Sequence, residues 1–188
     1  MSSSVAPTAF AREMLRRFGR NRRGSAAVEF ALVAPVFIAL LFAIVETALM
    51  FFASQILETV AQESARQIMT GQTQAAGYNA TSFLTQVVCK QPQPLLNCNN
   101  IGVDVESDPS QFSNVSIANP VTNGNYDSTK LKWSPGASCS VVTVTLYYPW
   151  QMFVTGLGYN ISNLNGNIRL LSATAAFRNE PYSGACGT

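Results

Sequence analysis

The sequence predicts an α+β fold in which a long N-terminal helix, apolar at first and amphipathic further on, packs on a small antiparallel sheet. Three observations predict it: a long apolar run near the N-terminus, an apolar stripe at helical spacing directly after it, and three alternating or β-branched segments in the C-terminal half. A chain of 188 residues is long enough for one modest domain plus a membrane segment. Charged residues make up 12%, about half the share usual in soluble domains. Part of the chain is therefore suited to a solvent other than water.

The apolar run covers residues 26–53. At about 1.5 Å per residue, a helix of that length exceeds the roughly 30 Å hydrocarbon core of a bilayer. Before it stand Arg12, Arg16, Arg17, Arg20, Arg22 and Arg23 against Glu13, a net +5. The remainder of the chain, with 6 basic and 9 acidic residues, carries −3. A basic head on a mildly acidic body sets topology, with the head cytoplasmic and everything after residue 53 outside, and does not indicate a nucleic-acid partner. A secretory signal has a shorter apolar region with its cleavage site after it. Here the candidate cut at Gly24 and Ser25 lies before the run, so processing would leave the anchor in place. Pro35 withholds one backbone hydrogen bond, and a kink or opened turn is expected there.

Two carboxylates lie inside the run, where each needs a partner, a proton or an interface. Glu29 stands five residues after Gly24. Two readings stay open for it: pairing with a Ser25 amine freed by cleavage or with a cation of a neighbouring subunit, or marking the interfacial start of the helix. Glu46, deeper along the run, either snorkels or meets a polar group on another helix.

Past the run, Ile56, Leu57, Val60, Ala61, Ala65 and Ile68 share one helical face, while Gln55, Glu58, Gln62, Glu63, Arg66 and Gln67 take the other. The helix is expected to continue to about Thr70 and stop at Gly71. The organisation read from the chain is a basic leader over 1–24, a transmembrane helix over 25–53, its amphipathic extension over 54–70 and an extracytoplasmic α+β domain over 71–188. Within the last, Thr81 is expected to cap a short helix through Phe83, Leu84, Val87 and Val88, ended by Pro92 and Pro94. Strands are expected over residues 101–106, 140–148 and 168–177. The polar stretch 107–138, including Asn123-Gly124-Asn125, reads as a hairpin or a long loop.

The sequence contains no histidine, which excludes histidine-dependent triads and the HExxH zinc site. No Gly-rich phosphate loop is found; Gly156-Leu157-Gly158 lacks a following lysine and reads as a turn. Lys130, Lys132 and Trp133 read as a solvated loop. Asn79-Ala80-Thr81, Asn114-Val115-Ser116 and Asn160-Ile161-Ser162 match a glycosylation sequon that arises readily by chance in such a composition. No paired-carboxylate or Ser-Lys site marks a hydrolase, so neither enzyme activity nor a cofactor or metal is expected.

All four cysteines, Cys89, Cys98, Cys139 and Cys186, follow the apolar run, where an oxidising compartment allows disulfides. Of three possible pairings we favour Cys89 with Cys98, closing a short proline-containing loop, and Cys139 with Cys186, fastening the C-terminal tail. A zinc site competes, but no CxxC spacing supports it.

Arg22-Arg23-Gly24, then Ser25-Ala26-Ala27-Val28-Glu29-Phe30, then an apolar helix, resembles a type IV prepilin-like leader. It is most similar to the TadE/TadF-like pseudopilins of tight-adherence (Flp) pilus systems, in which a glycine is followed five residues later by Glu and an aromatic. The ending Phe177-Arg178-Asn179-Glu180-Pro181-Tyr182 also resembles that family's close. The resemblance implies a pilin-like fold, cleavage by a prepilin peptidase between Gly24 and Ser25, and docking through Glu29 and Phe30 into a pilus-like assembly. It further implies a single-pass protein of the bacterial inner membrane or an extracellular pilus, with other pilins, pseudopilins, inner-membrane assembly proteins and membrane lipid as partners. Classical pilins begin with Phe after the cut and this chain would begin with Ser25, so N-terminal methylation does not carry over. Major Flp pilins are far shorter, which favours a minor pilin. The alternative is an unprocessed bitopic protein whose outer domain binds a ligand or surface.

Overall fold

The structure, a computed structural model of the 188-residue chain, describes residues 12, 16, 24–117, 119–153, 160–184 and 186. Most of the basic head and the turn 156–158 lie outside the described residues. Helix α1, Ser25–Met69, runs through Pro35 without interruption. The chain divides into two units, Met1–Ile44 and Val45–Thr188.

In the first unit, eleven large hydrophobic side chains from Val28 to Ile44 are exposed, Phe30 and Leu32 the most at 73%. A helix apolar on every side with this surface exposed fits a single-pass membrane anchor. The candidate membrane span by length and composition is Ala26–Met69.

In the second unit the helix acquires one buried face. Glu46, Met50, Ala53, Leu57, Val60, Ala61, Ser64, Ala65 and Ile68 are buried at spacings of three and four, while Gln55, Glu58, Gln62, Glu63 and Arg66 stay exposed. Ser64 is tolerated on that face because Gln91 Nε2 donates to its Oγ at 3.0 Å. The helix stops at Gly71, whose φ of 76° is the left-handed conformation that glycine adopts freely.

The C-terminal close clasps this end. Glu180 N–H donates to the Met69 carbonyl at 2.9 Å, satisfying one of the orphan acceptors of the last turn. Asn179 is buried, and its Nδ2 donates to the carbonyls of Pro135 and Ala137 at 3.0 and 2.9 Å. The Tyr182 ring lies against Gly71, where a Cβ would approach it to 2.5 Å. Gly71→Ala is expected to cost about 2 kcal/mol from its backbone conformation alone, more with the ring displaced. Urea unfolding of the variant checks it, and an unchanged midpoint would show that the clasp is not required.

After the short α2, Gln72–Ala75, comes α3, Ala80–Phe83, which continues as a π-helical turn over Leu84–Val88. Its cap is Asn79 and not Thr81. Asn79 Oδ1 accepts from Ser82 N–H at 2.8 Å, and Ser82 Oγ accepts from Asn79 N–H at 2.8 Å. Two reciprocal bonds at that register outcompete a cap two residues later.

Strands β1, Gly102–Asp108, β4, Val141–Gln151, and β5, Ile168–Arg178, form an antiparallel sheet ordered β1-β4-β5. The three expected strands are all present. Between the first two, β2, Val121–Thr122, and β3, Asn125–Tyr126, form a minimal hairpin. Asn123 and Gly124 both have positive φ, 51° and 75°, as a two-residue hairpin turn requires. Strand β4 runs past Tyr148 through Pro149, which pairs with Leu170. Strand β1 begins at Gly102, opposite Tyr147, so Pro149 lies where β4 is paired on one side only and a missing N–H is tolerated.

One sheet face, carrying Val103, Val105, Val142, Val144, Leu146, Tyr148, Leu171 and Ala173, shares a core with the buried helix face and with Phe83, Val87 and Val88. Trp133 belongs to this core and not to a solvated loop. Its ring lies 5.0 Å from Phe83, its Nε1 donates to the Tyr78 carbonyl at 3.1 Å, and Val105 pairs with it as an isolated bridge. The Lys132–Glu106 ion pair beside it, 3.1 Å, has its lysine 60% exposed and adds little.

The other face is covered over β1 and β4, while Ser172, Thr174, Ala176 and Arg178 of β5 are exposed. Asp104, Thr143, Thr145 and Tyr147 are buried there, Lys132 N–H donates to Asp104 Oδ1 at 2.7 Å, and the Tyr126 hydroxyl lies over Gly102. Burial, then the charge of Asp104, pushes both Tyr126 and Tyr147 up to about 12 from 10.0. At the opposite extreme, N–H donors of Gln111 and Ser110 hold Asp108 down to about 2, and the Thr129 side chain and N–H lower Asp127.

The signs follow from linkage. For the tyrosines the folded value exceeds the unfolded one, so their contribution is complete below pH 10 and disappears between about pH 10 and 12. For Asp108 the folded value is the lower, so its contribution is present above the model-peptide value of 3.8 and is lost as pH falls towards 2. The unfolding midpoint is expected to be flat between these limits. Tyr126→Phe should extend the alkaline side, and an unchanged alkaline limb would contradict the assignment.

Candidate functional site

Gly24 immediately precedes α1 and is exposed, with Ser25 as the first residue of the helix. Among the described residues no heavy atom lies within 4 Å of where a Gly24 Cβ would sit, and its φ is not left-handed. Nothing among the described residues therefore requires glycine at this position.

Glu29 and Phe30 follow within two turns, both exposed, Phe30 at 73%. Among the described residues Glu29 makes no hydrogen bond or ion pair. A carboxylate on an apolar helix costs roughly 2.5–3.5 kcal/mol at mid-membrane depth and less nearer the interface.

Glu46 is different. It is 6% exposed, and its carboxylate accepts the backbone N–H of Phe153, just beyond β4. One partner of Glu46 is thus within its own chain. Phe153 was not legible as a partner because 107 residues separate the two. The only available signal was an aromatic residue just beyond a β-branched strand.

The cysteines lie in the second unit. Cys89 is bonded to Cys98 and Cys139 to Cys186, each pair with Cα atoms 5.5 Å apart, and there is no free cysteine among the described residues. That geometry suits disulfides without backbone movement. No group of three or more metal-ligating side chains occurs among the described residues.

The comparison with family models reaches the same helix. Residues 24–66 match the TadE-like protein family. The TadE-like segment begins at Gly24, spans the exposed apolar turns and ends three residues before α1 does. It suggests a protein associated with tight-adherence (Tad) pili. The sheet lies outside the matched range. No curated protein and no solved structure matches the chain.

Proposed function

We propose that the chain is a minor pilin, or pseudopilin, of a tight-adherence (Flp) pilus, a structural subunit and not an enzyme. A prepilin peptidase cuts between Gly24 and Ser25, removing the basic leader and leaving residues 25–53 as the anchor, 54–70 as its extension and 71–188 as a periplasmic domain. The N-terminus is cytoplasmic before cleavage, and the anchor holds the protein in the bacterial inner membrane until it joins other pilins and inner-membrane assembly proteins.

The observation that carries this reading is the TadE-like match beginning at Gly24, on a helix whose apolar surface is exposed from its first turns. Two features add support: Gly24 has no role in packing, and Glu29 lies about one turn from the amine that cleavage would expose. That amine, or one on an adjacent subunit, offsets the carboxylate in lipid.

Glu29→Ala is expected to leave the chain trimmed and membrane-bound while piliation, measured in sheared cell-surface fractions, falls sharply. Undiminished piliation would remove Glu29 from assembly. A wild-type chain that keeps its leader in cells with an active prepilin peptidase would instead favour the unprocessed bitopic protein.

A further inference from the structure

We propose that the base of the sheet domain, at Phe153 beside Glu46 of α1, is seated in the outer edge of the lipid bilayer. The inference rests on the reading of α1 as a membrane anchor and adds a second lipid contact, made by the domain itself.

Phe153 is 82% exposed, the most exposed large apolar side chain among the described residues. It is not an isolated surface residue. Leu49, Phe51 and Phe52, within two turns of Glu46 on the same unit, are 44%, 62% and 55% exposed. We call these four exposed side chains of the second unit its apolar collar, and exposed apolar surface of this kind marks an interface. Aromatic residues are the side chains favoured where hydrocarbon meets headgroups.

The contact between Glu46 and Phe153 fixes the depth of this collar. Glu46 precedes the end of the apolar run at Ala53 by seven residues, about 10 Å along a helix. Because Phe153 N–H donates to the Glu46 carboxylate, the chain leaving β4 reaches that same level. The pairing also answers two costs at once. A backbone N–H without a partner is not tolerated in hydrocarbon, and neither is an unsatisfied carboxylate. Each satisfies the other, which lets an irregular segment enter the membrane edge and lets a carboxylate stand near the end of an anchor.

The test uses the full chain in dioleoylphosphatidylcholine vesicles, with part of the lipid brominated in its acyl chains. The probes are Phe153→Trp and Phe37→Trp, each read as fluorescence added over that of wild type, which supplies Trp133 and Trp150. Phe37 is 60% exposed in the first unit and reports on the anchor alone. Both increments are expected to be lost in brominated lipid and to resist aqueous iodide. If Phe37→Trp is quenched by lipid but Phe153→Trp responds only to iodide, the domain stands clear of the membrane and this inference fails while the anchor reading survives. A Phe153→Trp increment insensitive to both quenchers would place another protein surface over the collar and overturn the inference equally. If Phe37→Trp itself escapes brominated lipid, the anchor reading falls first.

Discussion

Removing the Cys139–Cys186 disulfide by a double serine substitution is expected to lower the stability of the sheet domain by about 4 kcal/mol. The bond joins residues 47 apart, whereas Cys89 and Cys98 are 9 apart. Loop-closure entropy grows with the logarithm of loop length, so the shorter bond should contribute less, about 2.7 kcal/mol. Cys139 sits in the turn just before β4, with a positive φ of 68°. Its partner holds the segment that follows the Asn179 and Tyr182 clasp, so opening the bond also frees the structure that closes the end of α1. Urea unfolding of the detergent-solubilised full chain should show a midpoint lowered by about 2 M, given an m-value near 2 kcal/mol/M. Equal midpoints for the double variant and wild type would mean that the clasp holds without the bond.

Phe83→Ala is expected to cost about 3–5 kcal/mol, the range for deleting a buried aromatic ring. Phe83 is fully buried, tilts against Trp133 at a centroid distance of 5.0 Å, and stands where α3 passes into its π-helical turn. Its removal would open a cavity beneath Val87, Val88 and the helix face at the centre of the core. Phe153→Ala provides the contrast, since a side chain 82% exposed contributes little to the folded core. The same urea measurement separates the two. A loss under 1 kcal/mol at Phe83 would show that Trp133 and the helix collapse into the space.

The residues differ in how openly the sequence displays their roles. Local signals were sufficient for the buried stripe of α1, its end at Gly71 and the three long strands, because periodicity and a glycine stop are properties of neighbouring residues. The misses arise where distant residues decide. Asn79 outcompeted Thr81 as a cap because Ser82 returned its hydrogen bond. Trp133 appeared to belong to a basic polar loop, yet Phe83 and the Tyr78 carbonyl draw it into the core. The strand expected to end at Tyr148 continues through Pro149, which lies beyond the reach of β1. The burial of Asp104 and Tyr147 on the second face depends on a segment more than twenty residues away. At the candidate site, Gly24, Glu29 and Phe30 lie close enough in sequence to be read as one pattern. Glu46 and Phe153 share no such pattern.

The most direct measurement is the intact mass of the chain extracted from cell membranes with detergent. The account predicts a species starting at Ser25, 164 residues long after loss of the first 24 of 188, and confined to the membrane fraction. A full-length chain that begins at Met1 and remains in the aqueous fraction without detergent would contradict it.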